Sequence, residues 1–141
     1  HNSAYDPGDR LKKQQLLFLH DLALEEFQKG NWVVIGGDWN QCPPFFADNS
    51  LAPAGSKSAK TSNVPADFLP EDWHFLYDPT TPTNRKCREP YQKNETFVTC
   101  IDFFLVSPNV RGRSVKVRDL DFQFSDHQPV LMEIELLFDK K

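Results

Sequence analysis

Three stretches of this chain carry side chains of the kind that acid–base and phosphate chemistry uses. In Val33-Val34-Ile35-Gly36-Gly37-Asp38-Trp39-Asn40 an apolar run ends in two glycines, and an acid and an amide follow two residues apart. In Ile101-Asp102-Phe103-Phe104-Leu105 a single carboxylate interrupts an apolar run. Burying that carboxylate is costly unless it finds a partner, and none of its chain neighbours can serve. In Ser125-Asp126-His127-Gln128-Pro129 an acid and an imidazole stand side by side before a third apolar run. A histidine oriented by a buried carboxylate has a defined tautomer, and its charged form is stabilised. On that logic His127 is expected to pair with Asp102. Each stretch also has a plainer reading: a turn at Gly36-Gly37-Asp38, an acid bonded to backbone amides at Asp102, a surface histidine at 127. Only in combination do they point to a site.

The elements that position these groups follow from pattern. Residues 32–35 are β-branched, polar-free and few, as in a buried strand, with the glycines turning the backbone at its end. Asp38 and Asn40 then fall in the loop at the carboxyl end of that strand, where open α/β sheets present ligand groups. Residues 10–29 read as a helix, with Leu11, Leu16, Leu19, Leu22, Ala23 and Phe27 on one broad face, Asp9 as N-cap and Gly30 as terminator. A helix running at once into a buried strand suggests half of a βαβ unit. A preceding parallel strand would end near His1, putting His1 and Asp38 at one sheet edge. Residues 41–70, rich in Pro, Ser, Ala and Asn, predict a long, partly ordered active-site loop. Residues 73–77 predict a short strand and residues 84–94 a charged, turn-rich excursion. Residues 97–106 predict the clearest strand, residues 115–117 a shorter one, and residues 130–137 a last one with Glu133 and Glu135 on a wet face. Pro129 stiffens the entry to that last strand and biases Gln128 to an extended conformation.

The chain has 141 residues, 39% hydrophobic and 13% aromatic with twelve Phe, which is globular composition. One domain of this size buries ~68% of its unfolded surface. The net charge of −4 speaks against a protein that coats a polyanion. No apolar run reaches the length of a membrane span. Three cysteines, Cys42, Cys87 and Cys100, lack metal-ligand spacing, and an odd count leaves at least one unpaired. The chain starts at His1 rather than at a methionine, as a processed or cut chain would.

Gly37-Asp38-Trp39-Asn40, Ile101-Asp102-Phe103-Phe104 and Ser125-Asp126-His127-Gln128-Pro129, in that order, resemble three motifs of the endonuclease/exonuclease/phosphatase family, the DNase I-like fold. His1-Asn2-Ser3 looks like a fourth. The resemblance runs from His1 to about Leu137. It implies a metal-dependent phosphoesterase in which Asp38 activates the attacking water and Asn40 holds the phosphate or that water. It further implies that Asp126 is a metal ligand, with Asp38 and Asn40 as further donors, and that His127, held by Asp102, contacts the phosphoryl oxygens. His1 resembles a second phosphate-contacting histidine or a general acid. The implied cofactor is Mg²⁺, with Mn²⁺ or Ca²⁺ as substitutes, and the implied substrate is a nucleic acid or a small or lipid phosphodiester.

The family's fold is a four-layer α/β sandwich of two similar halves. This chain resembles only the second half, an α/β (α+β) unit with a mixed sheet and a long N-terminal helix packed on it. The first half normally brings an asparagine and a glutamate to the metal, and neither motif is visible here. Trp39 stands where the family usually has Phe. Some secreted relatives bridge places close to Cys42 and Cys100, which leaves a disulfide there open. The chain alone is therefore expected to be inactive, to leave Phe97, Phe103 and Phe104 partly bare, and to self-associate. A non-catalytic binding domain on the same fold is the competing expectation. It sits poorly with four motifs that all keep the required side-chain types. Two basic clusters complete the reading. Arg85, Lys86, Arg88 and Lys93 in a loop are candidates for substrate contact, Arg85 first. Arg111, Arg113, Lys116 and Arg118 read as charge guarding a solvated hairpin.

Overall fold

A computed structural model of the protein describes residues 1–4, 8–56, 61–88 and 90–138. One helix, α1 (Arg10–Gln28), precedes seven strands: β1 (Val34–Asp38), β2 (His74–Leu76), β3 (Asn84–Arg85), β4 (Val98–Thr99), β5 (Asp102–Val106), β6 (Val110–Val117) and β7 (Val130–Leu136). The ladders between them are antiparallel: β1-β5-β2, β3-β4 and β6-β7. The class is α+β, with helix and sheet both present.

The core forms where α1 lies on one face of the three-stranded sheet. Ile35, Phe75, Phe103 and Leu105 point to that face by the register of β1, β2 and β5. They pack with Leu16, Ala23 and Trp39. Trp39 stacks flat on Phe103 at 4.9 Å, and its indole N–H donates to the Phe103 carbonyl at 3.0 Å. The contact buries both large rings and leaves no polar atom of the indole unsatisfied. The buried stripe of α1 is narrower than the sequence predicts. Leu11 and Leu22 are exposed, because three short strands underlie only the Leu16–Ala23 side of the helix. Asp9 adopts a left-handed conformation and makes no side-chain cap bond. Its carboxylate holds Lys12 at 3.1 Å instead.

Several expectations are corrected. The glycines do not turn the chain out of β1. They lie within it, and Asp38 is its last residue. Gly36 is required there, since a Cβ at that position would run into the Phe104 ring on the neighbouring strand. Burial of β1 is also less complete than its composition suggests, with Val34 and both glycines exposed. No parallel ladder joins the described strands, so the preceding parallel strand of the βαβ reading is not among them. His1 and Asp38 nevertheless meet, as the Asn2 N–H donates to the Asp38 carbonyl at 2.9 Å. The strand expected over residues 97–106 is broken in two. At the break the amides of Ile101 and Asp102 both turn to the Thr83 hydroxyl, each at 3.0 Å, and Trp39 N–H takes the Ile101 carbonyl. Phe97 and Phe103 are buried and only Phe104 is half-bare, because α1 already covers Phe103.

The β6–β7 hairpin is longer than predicted. A bulge between Gly112 and Ser114 puts one extra residue into β6. Val110 and Gly112 are even-numbered, Val115 and Val117 odd. The extra residue brings all four to one face, opposite Leu136, Ile134, Met132 and Val130. On the wet face Arg111 and Arg113 both pair with Glu135. The loop over residues 41–70 is well anchored where it is described: Asn63 donates to the carbonyls of Pro43 and Phe46, each at 2.7 Å. Cys42 and Cys100 are buried free thiols, and burial pushes the Cys100 thiol up to about 12.

Candidate active site

Asp38 and Asp102 are cross-strand partners at the ends of β1 and β5. They share the sheet face opposite α1. Just beyond Asp38, Asn40 takes a left-handed conformation (φ 48°), which asparagine tolerates better than most residues. The chain thereby folds back on the carboxylate. Asn40 N–H donates to Asp38 Oδ1 at 2.8 Å, and its side-chain amide donates to Asp38 Oδ2 at 2.9 Å and to the Asn2 carbonyl at 2.8 Å. One asparagine thus orients both oxygens of Asp38.

His127 reaches the site through an antiparallel bridge to Asn84 of β3. Arg85 N–H donates to the Asp126 carbonyl at 3.0 Å and Gln128 N–H to the Thr83 carbonyl at 2.8 Å. Gln128, buried, further ties Leu120 N–H and the Asp119 carboxylate. These bonds hold a two-residue hinge rigidly in a segment with no regular structure of its own. His127 Nδ1 lies 2.9 and 3.0 Å from the two oxygens of Asp102, as the sequence led us to expect. Its Nε2 faces Asp38 Oδ2 at 3.9 Å, and His1 Nε2 faces the same oxygen at 3.3 Å.

Two residues that the sequence did not single out complete the arrangement. Asn84 donates from one amide nitrogen to the Asp126 carbonyl and to His127 Nε2, each at 3.1 Å. Thr83, fully buried, holds the amide of Asp102 as described above. Asn84 opens the stretch that reads as a turn-rich excursion and Thr83 lies just before it, and no local pattern distinguishes them. Arg85, the expected substrate contact, sends Nη1 to the Lys86 carbonyl at 3.2 Å.

The electrostatics follow from these contacts. The Asp102 hydrogen bond raises the pKa of His127, and the charges of Asp102, Asp38 and Asp126 add to it against the cost of burial. Burial raises the pKa of Asp38, the Asn40 amide opposes this, and the Asp102 charge reinforces it. Asp126 makes no hydrogen bond through its carboxylate among the described residues, and its charge lies close enough to act on His127.

Asp38 and Asp102 therefore contact the imidazoles, with the charge of Asp126 acting on His127, and an anionic substrate would add negative charge. Oxygen donors of this kind suit a hard cation, and Mg²⁺ uses one or two carboxylates while keeping several waters. In number the donors fall short: no group of three or more His, Cys, Asp and Glu set to hold a metal occurs among the described residues. No described helix is long and apolar enough to cross a membrane. Comparison with protein-family models, with curated proteins and with solved structures returned no match for this chain.

Proposed function

We propose that this chain carries the hydrolytic side of a divalent-metal-dependent phosphoesterase of the endonuclease/exonuclease/phosphatase type. The observation that supports it best is the chain of contacts Asp102–His127–Asp38–His1, with Asn40 and Asn84 bridging, assembled from five separated segments. A structural ion pair needs two of these groups. A reaction centre needs them all within reach of one small ligand.

In this reading Asp38 is the base. It takes a proton from water as the water oxygen bonds to phosphorus, and Asn40 keeps the accepting oxygen oriented. The bond from phosphorus to the ester oxygen breaks on the opposite side, in line. The ester oxygen leaves with the bonding pair and takes its proton from solvent water, while His1, on the Asp38 side, contacts a phosphoryl oxygen. His127, oriented by Asp102, which also raises its pKa, stabilises the nonbridging oxygens, where negative charge collects. Asp126 would hold Mg²⁺, with Asp38 and Asn40 as further oxygen donors. The ion would supply charge neutralisation at the phosphoryl group. The substrate is a phosphate ester, whether nucleic acid or a small or lipid phosphodiester.

The test is made on the intact protein with Mg²⁺ and a chromogenic phosphodiester. His127→Ala and Asp126→Asn should each lower turnover by ~10²–10³, measured at a temperature where each variant is folded. Turnover near wild type in either variant removes that residue from the mechanism. Wild-type activity that survives exhaustive chelation removes the metal.

A further inference from the structure

The basic loop that follows β3 divides its labour. Lys93 is engaged with Asp121 at 2.6 Å, and Arg85 turns back onto its own backbone. Lys86 and Arg88 instead line a trough that begins at the active site. Its near part is a cavity of about 290 Å³ walled by Lys12, Asn40, Ser62, Asn84 and Lys86, with Phe97 among its apolar residues. Its far part, about 500 Å³, shares Lys86 and Phe97 and adds Arg88 and Gln92. Asn40 and Asn84 are the two amides that orient Asp38 and His127, so the near cavity opens directly beside the reacting groups. Lys12 is nearly buried, with its side chain 11% exposed, and Asp9 holds it in place. Lys86 forms no ion pair among the described residues. Its backbone N–H is tied to the Phe97 carbonyl at 2.9 Å, which fixes where its side chain starts. The carboxylates on the two walls are Asp9, engaged with Lys12, and Glu95.

A half-buried lysine with no ion pair among the described residues, lining a cavity that Asn40 and Asn84 also line, is arranged to meet a second anion. We propose that this trough binds a second phosphate of the substrate, next to the one that reacts, and that Lys86 is the residue that selects for it. The proposal rests on the phosphoesterase reading. The shared chemistry is a phosphate a few bonds from the scissile one, as in the next link of a nucleic-acid strand or a neighbouring position of a small polyol. Phosphate selection by a point charge suits Lys.

Two pairs of p-nitrophenyl phosphodiesters separate these cases in the intact protein with Mg²⁺. One pair is built on thymidine 5′-phosphate with and without a 3′-phosphate, the other on propanediol phosphate with and without a second phosphate. The second phosphate should raise kcat/KM by about 10-fold, the scale of one charge-assisted contact. Lys86→Ala and Lys86→Gln should each erase that gain, read within each variant as the ratio of kcat/KM for the two members of a pair. A gain on the thymidine pair alone identifies a strand as the source, and a gain on the propanediol pair alone identifies a polyol. The proposal is overturned if the second phosphate brings no gain on either scaffold, or if the gain persists without Lys86. Should the wild type cleave none of the four, the hydrolytic reading fails. Calorimetry of thymidine 3′,5′-bisphosphate against the 5′-monophosphate then decides the trough by itself: tighter, Lys86-dependent binding of the bisphosphate upholds it, and equal affinity ends it.

Discussion

At the scale of single residues, the Asp102–His127 pair is where the site stores its electrostatic asymmetry. The hydrogen bond from Asp102 raises the imidazole's pKa above its ordinary value of about 6.5. A histidine shifted in this direction binds its proton more tightly when folded. The stabilisation is complete below pH ~6.5 and is lost as pH rises through the folded-state pKa. Asp102→Asn removes the partner charge, so the His127 titration followed by NMR in metal-free protein should move down toward 6.5, and the alkaline fall in stability should flatten. An unmoved midpoint would mean that Asp102 does not set the state of His127. Asp38 is also raised, from the carboxylate range, chiefly by burial. Asn84 adds a control on the opposite ring nitrogen. Because the same amide nitrogen donates to the Asp126 carbonyl, turning it over to accept from a charged His127 would sacrifice that bond.

At the scale of elements, what positions the site is the packing of α1 on β1-β5-β2. Phe103 is buried to 1% and contacts Trp39 face to face. On the same strand, one residue away and on the opposite face, stands Asp102. Phe103→Ala should therefore cost about 3–5 kcal/mol in denaturant unfolding, through lost transfer energy and a cavity that α1 cannot close. Phe45, 92% exposed, is the matched control, and its replacement by Ala should stay within about 0.5 kcal/mol. Similar losses at the two positions would contradict the assigned core. The bulge in β6 works at this scale too: by inserting one residue it turns Val115 and Val117 to the same side as Val110, which no strict alternation would do.

At the scale of the whole molecule, the sheet face that carries Asp38 and Asp102 also carries apolar side chains that stay partly open. Val34 is about two-fifths exposed on it, and so are Ile134 and Leu136 on the apolar face of the separate β6-β7 sheet, opposite Gly112 and Val110. Phe104 and Leu76 are half-buried beside them, Leu76 resting over Gly112. An apolar face of this kind rarely remains open to water. We expect the chain by itself to bind an apolar-surface dye and to associate with its own copies at micromolar concentration in sedimentation, and Ile134→Lys to weaken both. A dye-free monomer would show that the face is too small or too interrupted to matter.

The sequence by itself determined which side chains have chemistry to offer. Asp102 stood out because a lone carboxylate in an apolar run must have a remote partner, and His127 was the candidate with a suitable setting. Local pattern also located α1, β1, β2, β5 and β7, since a helix face or an apolar run is written in neighbouring residues. Other features depended on contacts between distant segments. The antiparallel order of the sheet, the break at Cys100–Ile101, the bulge at Gly112–Ser114 and the inclusion of Gly36 in β1 all depend on what lies across the ladder. The roles of Thr83 and Asn84 were invisible for the same reason. A threonine and an asparagine in a turn-rich stretch look ordinary until the fold sets one under the amide of Asp102 and the other against the ring of His127. Residue type is a property of one position, whereas a hydrogen bond between positions 84 and 127 exists only once the chain between them has folded.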